Sequence, residues 1–126
     1  MCIRDSLEML LAGQAVPVHP DRPNLFNPIH EDDIIASVPA LLAAASVPAT
    51  IVNWGGDEQV SLEEWVAYLG ELAGVPAALE ETEATIGGVT VDLTKMHELV
   101  GPTSVRWRDG FRRMVAAHHP ELVRVP

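Results

Sequence analysis

Short helical patterns alternating with short β-rich runs place this chain in the α/β class, with α+β left open. Two stretches carry that assignment. Phe26-Asn27-Pro28-Ile29 is a short, largely apolar run that passes through His30-Glu31-Asp32-Asp33 into an alanine- and leucine-rich helix. Thr50-Ile51-Val52-Asn53-Trp54 is a β-prone run that turns at Gly55-Gly56-Asp57 before the next helix begins. The helices are marked by period and by their stops, the strands by β-branched residues between turn formers.

Taken in order, Leu7 to Ala12 reads as the last turns of a helix, with Gly13 as its C-cap. Residues 15–19 are a strand candidate. His19-Pro20-Asp21-Arg22-Pro23-Asn24 is a loop, because two prolines break any ladder. Residues 26–29 form the next strand. The helix over 32–45 carries Ile34, Ile35, Val38, Leu41, Leu42 and Ala45, a wide apolar face that predicts a core helix. The acids at its start suit an N-cap, and Pro39 predicts a kink.

Ser61 with Glu64 has the spacing of a capping box. Leu62, Trp65, Val66, Leu69, Leu72 and Ala73 share one face of the helix after it, which Gly74 and Pro76 stop. Residues 78–82 are a weak strand candidate. Asp92 is placed to cap a short helix through Met96 to Val100, closed by Gly101-Pro102. The last helix runs over 108–118, with Trp107, Phe111, Met114 and Val115 together on one face. Asn53 is expected to hold the Gly55-Gly56 turn with its amide.

Composition excludes several function classes. The chain has 126 residues, enough for one domain. Its net charge is −10, from 18 acids against 8 Lys and Arg, which argues against a nucleic-acid partner. No apolar window reaches the ~18 residues of a membrane span, so no membrane partner is expected. Cys2 is the sole cysteine, so there is neither a disulfide framework nor a thiolate metal site, and a cytoplasmic setting fits. His30 beside three acids suits capping better than metal binding, so no metal is expected.

Met1-Cys2-Ile3-Arg4-Asp5-Ser6 has no evident continuity with the residues after it. It back-translates as ATG TGT ATA AGA GAC AG plus one base, and resembles a transposon-end adapter used in preparing sequencing libraries. Residues 1–6 are therefore expected to be read-through, with the natural protein extending upstream of Leu7. Residues 7–119 form the functional lobe and residues 120–126 a flexible tail.

Five segments resemble, in order, the C-terminal region of the extended short-chain dehydrogenase/reductases. These are Leu10-Leu11-Ala12-Gly13 before a strand, Ile29-His30-Glu31-Asp32-Asp33 before a helix, and Val52-Asn53-Trp54-Gly55-Gly56. Asp92-Leu93-Thr94-Lys95-Met96 and Trp107-Arg108-Asp109-Gly110 complete the series. The resemblance implies the C-terminal substrate-binding lobe of an NAD(P)-binding Rossmann-fold enzyme of epimerase/dehydratase type, with the N-terminal nucleotide-binding core missing. It implies a small-molecule substrate such as a nucleotide sugar, NAD or NADP in the parent, and a parent able to form a homodimer.

The glycine-rich phosphate turn is absent, and so is the family's Tyr-x-x-x-Lys: Leu72 lies four residues after Tyr68, and Lys95 is the sole lysine. No catalytic or cofactor-binding residue is therefore assigned, and the chain alone is expected to bind no cofactor and to be inactive. The resemblance implies substrate contacts from His19, Arg22, Asn27 and His30. Arg22 has the planar fork that pairs with phosphate or carboxylate. Arg106 and Arg108 are further cations for an anion pocket. The alternatives left open are a non-catalytic Rossmann-type binding or regulatory relative and an unrelated small α+β module.

Overall fold

The computed structural model describes residues 3–123. Its elements are α1 (Ile3–Leu11), β1 (Val16–Val18), β2 (Leu25–Phe26), α2 (Glu31–Ala43), β3 (Val60–Ser61), α3 (Leu62–Ala73), β4 (Leu79–Glu81), α4 (Thr94–Leu99) and α5 (Trp107–His118). The strands pair as two small ribbons. β1 runs parallel to β4, with Val16 opposite Leu79 and Val18 opposite Glu81. β2 runs antiparallel to β3, with Leu25 opposite Ser61 and Phe26 opposite Val60.

α3 is the centre of the molecule, for reasons written into its residues. Ser61 Oγ accepts from Glu64 N at 3.1 Å while the Glu64 carboxylate accepts from Ser61 N at 3.0 Å, closing the box at its start. Gly74, at φ +67°, ends it, with Val75 N donating to Gly70 O at 3.1 Å. Leu62, Trp65, Val66 and Leu69 are buried between, against Leu7 and Leu10 of α1, Val16 and Val18 of β1, and Phe111 and Val115 of α5. Trp65 meets Phe26 on one side and Phe111 on the other, at ring separations of 5.3 and 6.1 Å. Arg108 stacks over Tyr68 and Trp107.

α1 takes in Ile3 to Ser6 and ends as expected. Gly13 adopts φ +69°, its N–H bonds Leu10 O, and Gln14 N bonds Met9 O at 2.8 Å. A helix propagates through any residues of fair propensity, so the inclusion of residues 3–6 reflects continuity with Leu7–Leu11. Beyond α5, Leu122 and Val123 pack on the core; residues 124–126 of the expected tail lie outside the described residues.

Three expectations are corrected. The β-prone run 50–54 joins neither ribbon and has no regular structure, because a strand exists only beside a partner and none is present among the described residues. α2 is helical and continues through Pro39, but it is not a core helix. Its buried residues are Asp33 and Ser37, while Ile35, Val38 and Leu42 are exposed. Its N-cap is His30, whose Nδ1 accepts from Asp32 N at 3.1 Å, so the acids lie inside the first turn rather than on the cap.

Candidate functional site

The Phe26–Asp33 junction organises the surface most able to hold a ligand. Asn27 is its clasp: Nδ2 donates to Gly56 O at 3.0 Å, Oδ1 accepts from Val91 N at 3.1 Å, and its carbonyl accepts from Gly56 N at 3.2 Å. Gly56 must be glycine, since a Cβ there would run into the Pro28 carbonyl. Asn53 does not hold this turn as expected; its Nδ2 donates to Asp92 O at 3.0 Å, because the chain carries it past residue 92 instead.

Asp33 crosses to the loop before α5. Its Oδ1 accepts from Ser104 N and Ser104 Oγ, both at 2.8 Å, and its Oδ2 from Val105 N at 3.0 Å. Burial pushes its pKa up, but these hydrogen bonds and the nearby His30 outweigh burial and hold the carboxyl below the usual aspartate range. Glu58 fixes the same region by accepting from Trp107 N at 2.7 Å, capping α5 from a distance.

Two adjoining cavities share Ile3 and Pro28 in their walls. One, of about 390 Å³, lies between the start of α2 and α5 and includes His30, Arg106, Trp107 and Arg113. Its cations are already matched: Arg106 faces Glu58 at 3.4 Å, and Arg113 bridges Asp32 at 3.0 Å and Asp109 at 2.6 Å. The other, of about 290 Å³, is lined by Phe26, Asn27, Trp54, Trp65, Ile86 and Val89 among others. Its wall includes Trp65, a buried indole whose Nε1–H has no partner among the described residues. Such walls hold apolar or flat groups, with Asn27 as the polar guide.

The four expected substrate residues fall into two groups. Asn27 lines the second cavity and His30 the first. His19 and Arg22 line neither of these two. His19 Nδ1 accepts from Asp21 N, and Arg22 sits between Glu63 and Glu81, at 3.9 and 3.6 Å, tying its loop to α3 and β4. Arg108 is engaged with the rings of Tyr68 and Trp107 and lines neither of these two cavities. The sequence reading missed the walls Trp54, Trp65, Ile86 and Val89. Trp54, standing beside a Gly-Gly turn, was the one signal that could have pointed there.

The starts of α2, α3 and α5 do not suit a diphosphate. A diphosphate needs bare N–H groups and room for close approach. Here α2 begins with Glu31, Asp32 and Asp33, α3 with Glu63 and Glu64, and α5 is capped by Glu58. No group of three or more His, Cys, Asp or Glu able to hold a metal occurs among the described residues. No described helix is long and apolar enough to cross a membrane.

No protein-family model and no curated protein matches this chain. Solved structures do. MoeE5, solved with UDP-glucose and NAD, superposes over 98% of this chain with a TM-score of 0.74 at 23% identity. The UDP-glucose 4-epimerase of Thermotoga maritima superposes over 96% with a TM-score of 0.75 at 17% identity. The UDP-glucuronic acid 4-epimerase of Bacillus cereus covers 88% with a TM-score of 0.70 at 21% identity. This is the fold of the extended short-chain dehydrogenase/reductases. The chain spans only 42%, 40% and 37% of those three proteins. The superposition takes in 88–98% of this chain and those shares of the three proteins.

Proposed function

We propose that this chain is the substrate-side, C-terminal part of an NAD(P)-dependent enzyme of epimerase/dehydratase type. The parent moves hydride between a nicotinamide and a substrate alcohol or ketone, with a nucleotide sugar as the leading substrate class. One observation carries the reading: nearly the whole chain superposes on enzymes solved with NAD and UDP-sugars, while spanning about two-fifths of their length. The cofactor of those neighbours favours NAD.

The residues themselves fit a division of labour. The acids at the starts of α2 and α3 and the missing Tyr-x-x-x-Lys support assigning cofactor binding and proton transfer to the rest of the parent. What this chain supplies is a pair of shaped walls that mix aliphatic and aromatic side chains, with Asn27 in one and His30 in the other. By itself the chain binds no nicotinamide and is inactive. The parent is a cytoplasmic enzyme and a homodimer in this reading, and residues 1–6 are adapter-derived.

The test is to sequence the source DNA upstream of the Leu7 codon and express the longer frame. A strand, glycine turn and helix followed by Tyr-x-x-x-Lys, with NAD-dependent turnover of a UDP-sugar, is the expected result. A frame that opens at Met1, or a longer chain that binds no nicotinamide, overturns it.

A further inference from the structure

The start of α2 is held by an unusual residue. Ser, Thr, Asn and Asp are the side chains that cap helices well, and imidazole is not among them. Here His30 Nδ1 accepts from Asp32 N at 3.1 Å, while the His30 carbonyl takes the N–H groups of Asp33 and Ile34. Facing the ring, α5 carries a glycine in its first turn, where alanine makes the better helix. A Cβ on Gly110 would stand 3.1 Å from His30 Cδ2, so the glycine makes room for the imidazole. Two local rules are broken to seat one ring, and such departures mark sites of use.

The cap also decides where the ring keeps its proton. An N–H that donates to Nδ1 needs a lone pair there, so the neutral imidazole is protonated on Nε2. That Nε2–H has no partner among the described residues. The side chain is 14% exposed and stands in the wall of the cavity of about 390 Å³ between α2 and α5. The result is a fixed, neutral donor in a sheltered place. The main-chain N–H groups at the start of α2 take no part, because His30 already occupies those of Asp32, Asp33 and Ile34.

The rest of the wall says what the donor is for. Glu31 and Asp32 bring carboxylates, which accept hydrogen bonds and, when ionised, donate none. An anion would be repelled by them, and Arg113 is already held by Asp32 and Asp109. Trp107 and Met114 add apolar surface. A hydroxyl can accept from His30 and donate to a carboxylate, and a neutral sugar ring joins several hydroxyls to apolar C–H faces. We infer that this cavity binds a neutral sugar ring, with a hydroxyl oxygen accepting from His30 Nε2–H. Calling that ring part of the parent's substrate rests on the proposed function; the binding itself does not.

The test titrates the 126-residue chain with methyl glucoside and follows the ring-nitrogen resonances of His30 by NMR. The expected result is saturable binding at about 1–10 mM, with the Nε2 resonance moving and the Nδ1 resonance holding still. His30→Asn separates capping from binding. Asparagine caps a helix well but lacks the Nε2 donor, so melting stays unchanged while affinity falls about tenfold. Gly110→Ala, whose methyl crowds the ring, weakens binding in the same direction. Three outcomes overturn the inference: no saturation well above that range, a His30→Asn chain that binds the glucoside as tightly, or inorganic phosphate that displaces it. The two readings fail separately. Glucoside bound here, with no turnover of a UDP-sugar by the longer frame, sinks the enzyme alone. Turnover by the longer frame with no glucoside bound at His30 sinks this site alone.

Discussion

The carboxylate of Asp33 accepts both the main-chain N–H and the hydroxyl of Ser104, each at 2.8 Å, across 71 positions of sequence. Together with the bond from Val105 N, this pins the start of α2 to the loop that launches α5. Asp33→Ala removes the acceptor and strands buried donors, so it should cost about 3 kcal/mol of stability, read as a lowered urea midpoint. Its folded pKa lies below the unfolded value of 3.8. Its contribution is therefore complete above pH 3.8 and drains away as pH falls through the lower folded value. Asp33→Asn should flatten the acid limb of the stability curve; an unchanged limb would remove the assignment.

His119 works in the opposite sense. Its Nε2 meets Glu8 at 2.9 Å and its Nδ1 meets Glu121 at 3.3 Å, fastening α1 to the end of α5. The Glu8 hydrogen bond comes first among the causes that raise its pKa above 6.5, and burial opposes it only in part. The stability it adds is present below pH 6.5 and is lost as pH rises through the higher folded value. Melting temperature should therefore decline across that window, and His119→Gln should abolish the decline. Proton resonances of the ring, titrated by NMR, give the direct measurement.

Two glycines should respond differently to the same methyl group. At Gly13 a Cβ meets nothing within 4 Å, so only its left-handed backbone, at φ +69°, resists alanine. That costs about 1 kcal/mol. At Gly56 the methyl collides with the Pro28 carbonyl, and main chain must move. Gly56→Ala should cost about 3 kcal/mol or more and loosen the Asn27 clasp. Comparable losses at the two sites, in paired chemical denaturation, would mean that the close approach of Gly56 to the Pro28 carbonyl is wrong.

Trp65 offers a test in which truncation is nearly harmless. It packs between Phe26 and Phe111, yet its indole N–H is buried without a partner among the described residues. Trp65→Phe keeps the ring contacts and removes the stranded donor, so lost volume and lost penalty oppose each other. The net change should stay within about 1 kcal/mol. Trp65→Ala should lose about 3–5 kcal/mol. A large loss for phenylalanine would show that the N–H has a partner.

The features legible in the residues alone were local. The Ser61–Glu64 box, the Gly13 and Gly74 stops and the apolar face of α3 are interactions within about four residues. The 78–82 strand was legible only faintly, because β4 is three residues long and its partner β1 lies more than sixty positions away. In the candidate site, Asn27 and His30 were singled out and do line cavities. Trp65 was read only as core, since nothing in a helical stripe reveals which of its members will also face a void.

The amino-acid sequence by itself determined where helices begin and stop, because caps, glycines and proline act on their own neighbours. Tertiary structure alone decided which side of α2 is inside, which asparagine holds the Gly55–Gly56 turn, and whether 50–54 becomes a strand. Each of those depends on a partner. Burial is defined by what stands opposite a face, a side-chain amide bonds whatever the folded chain brings within reach, and a β-prone run becomes a strand only when another lies beside it.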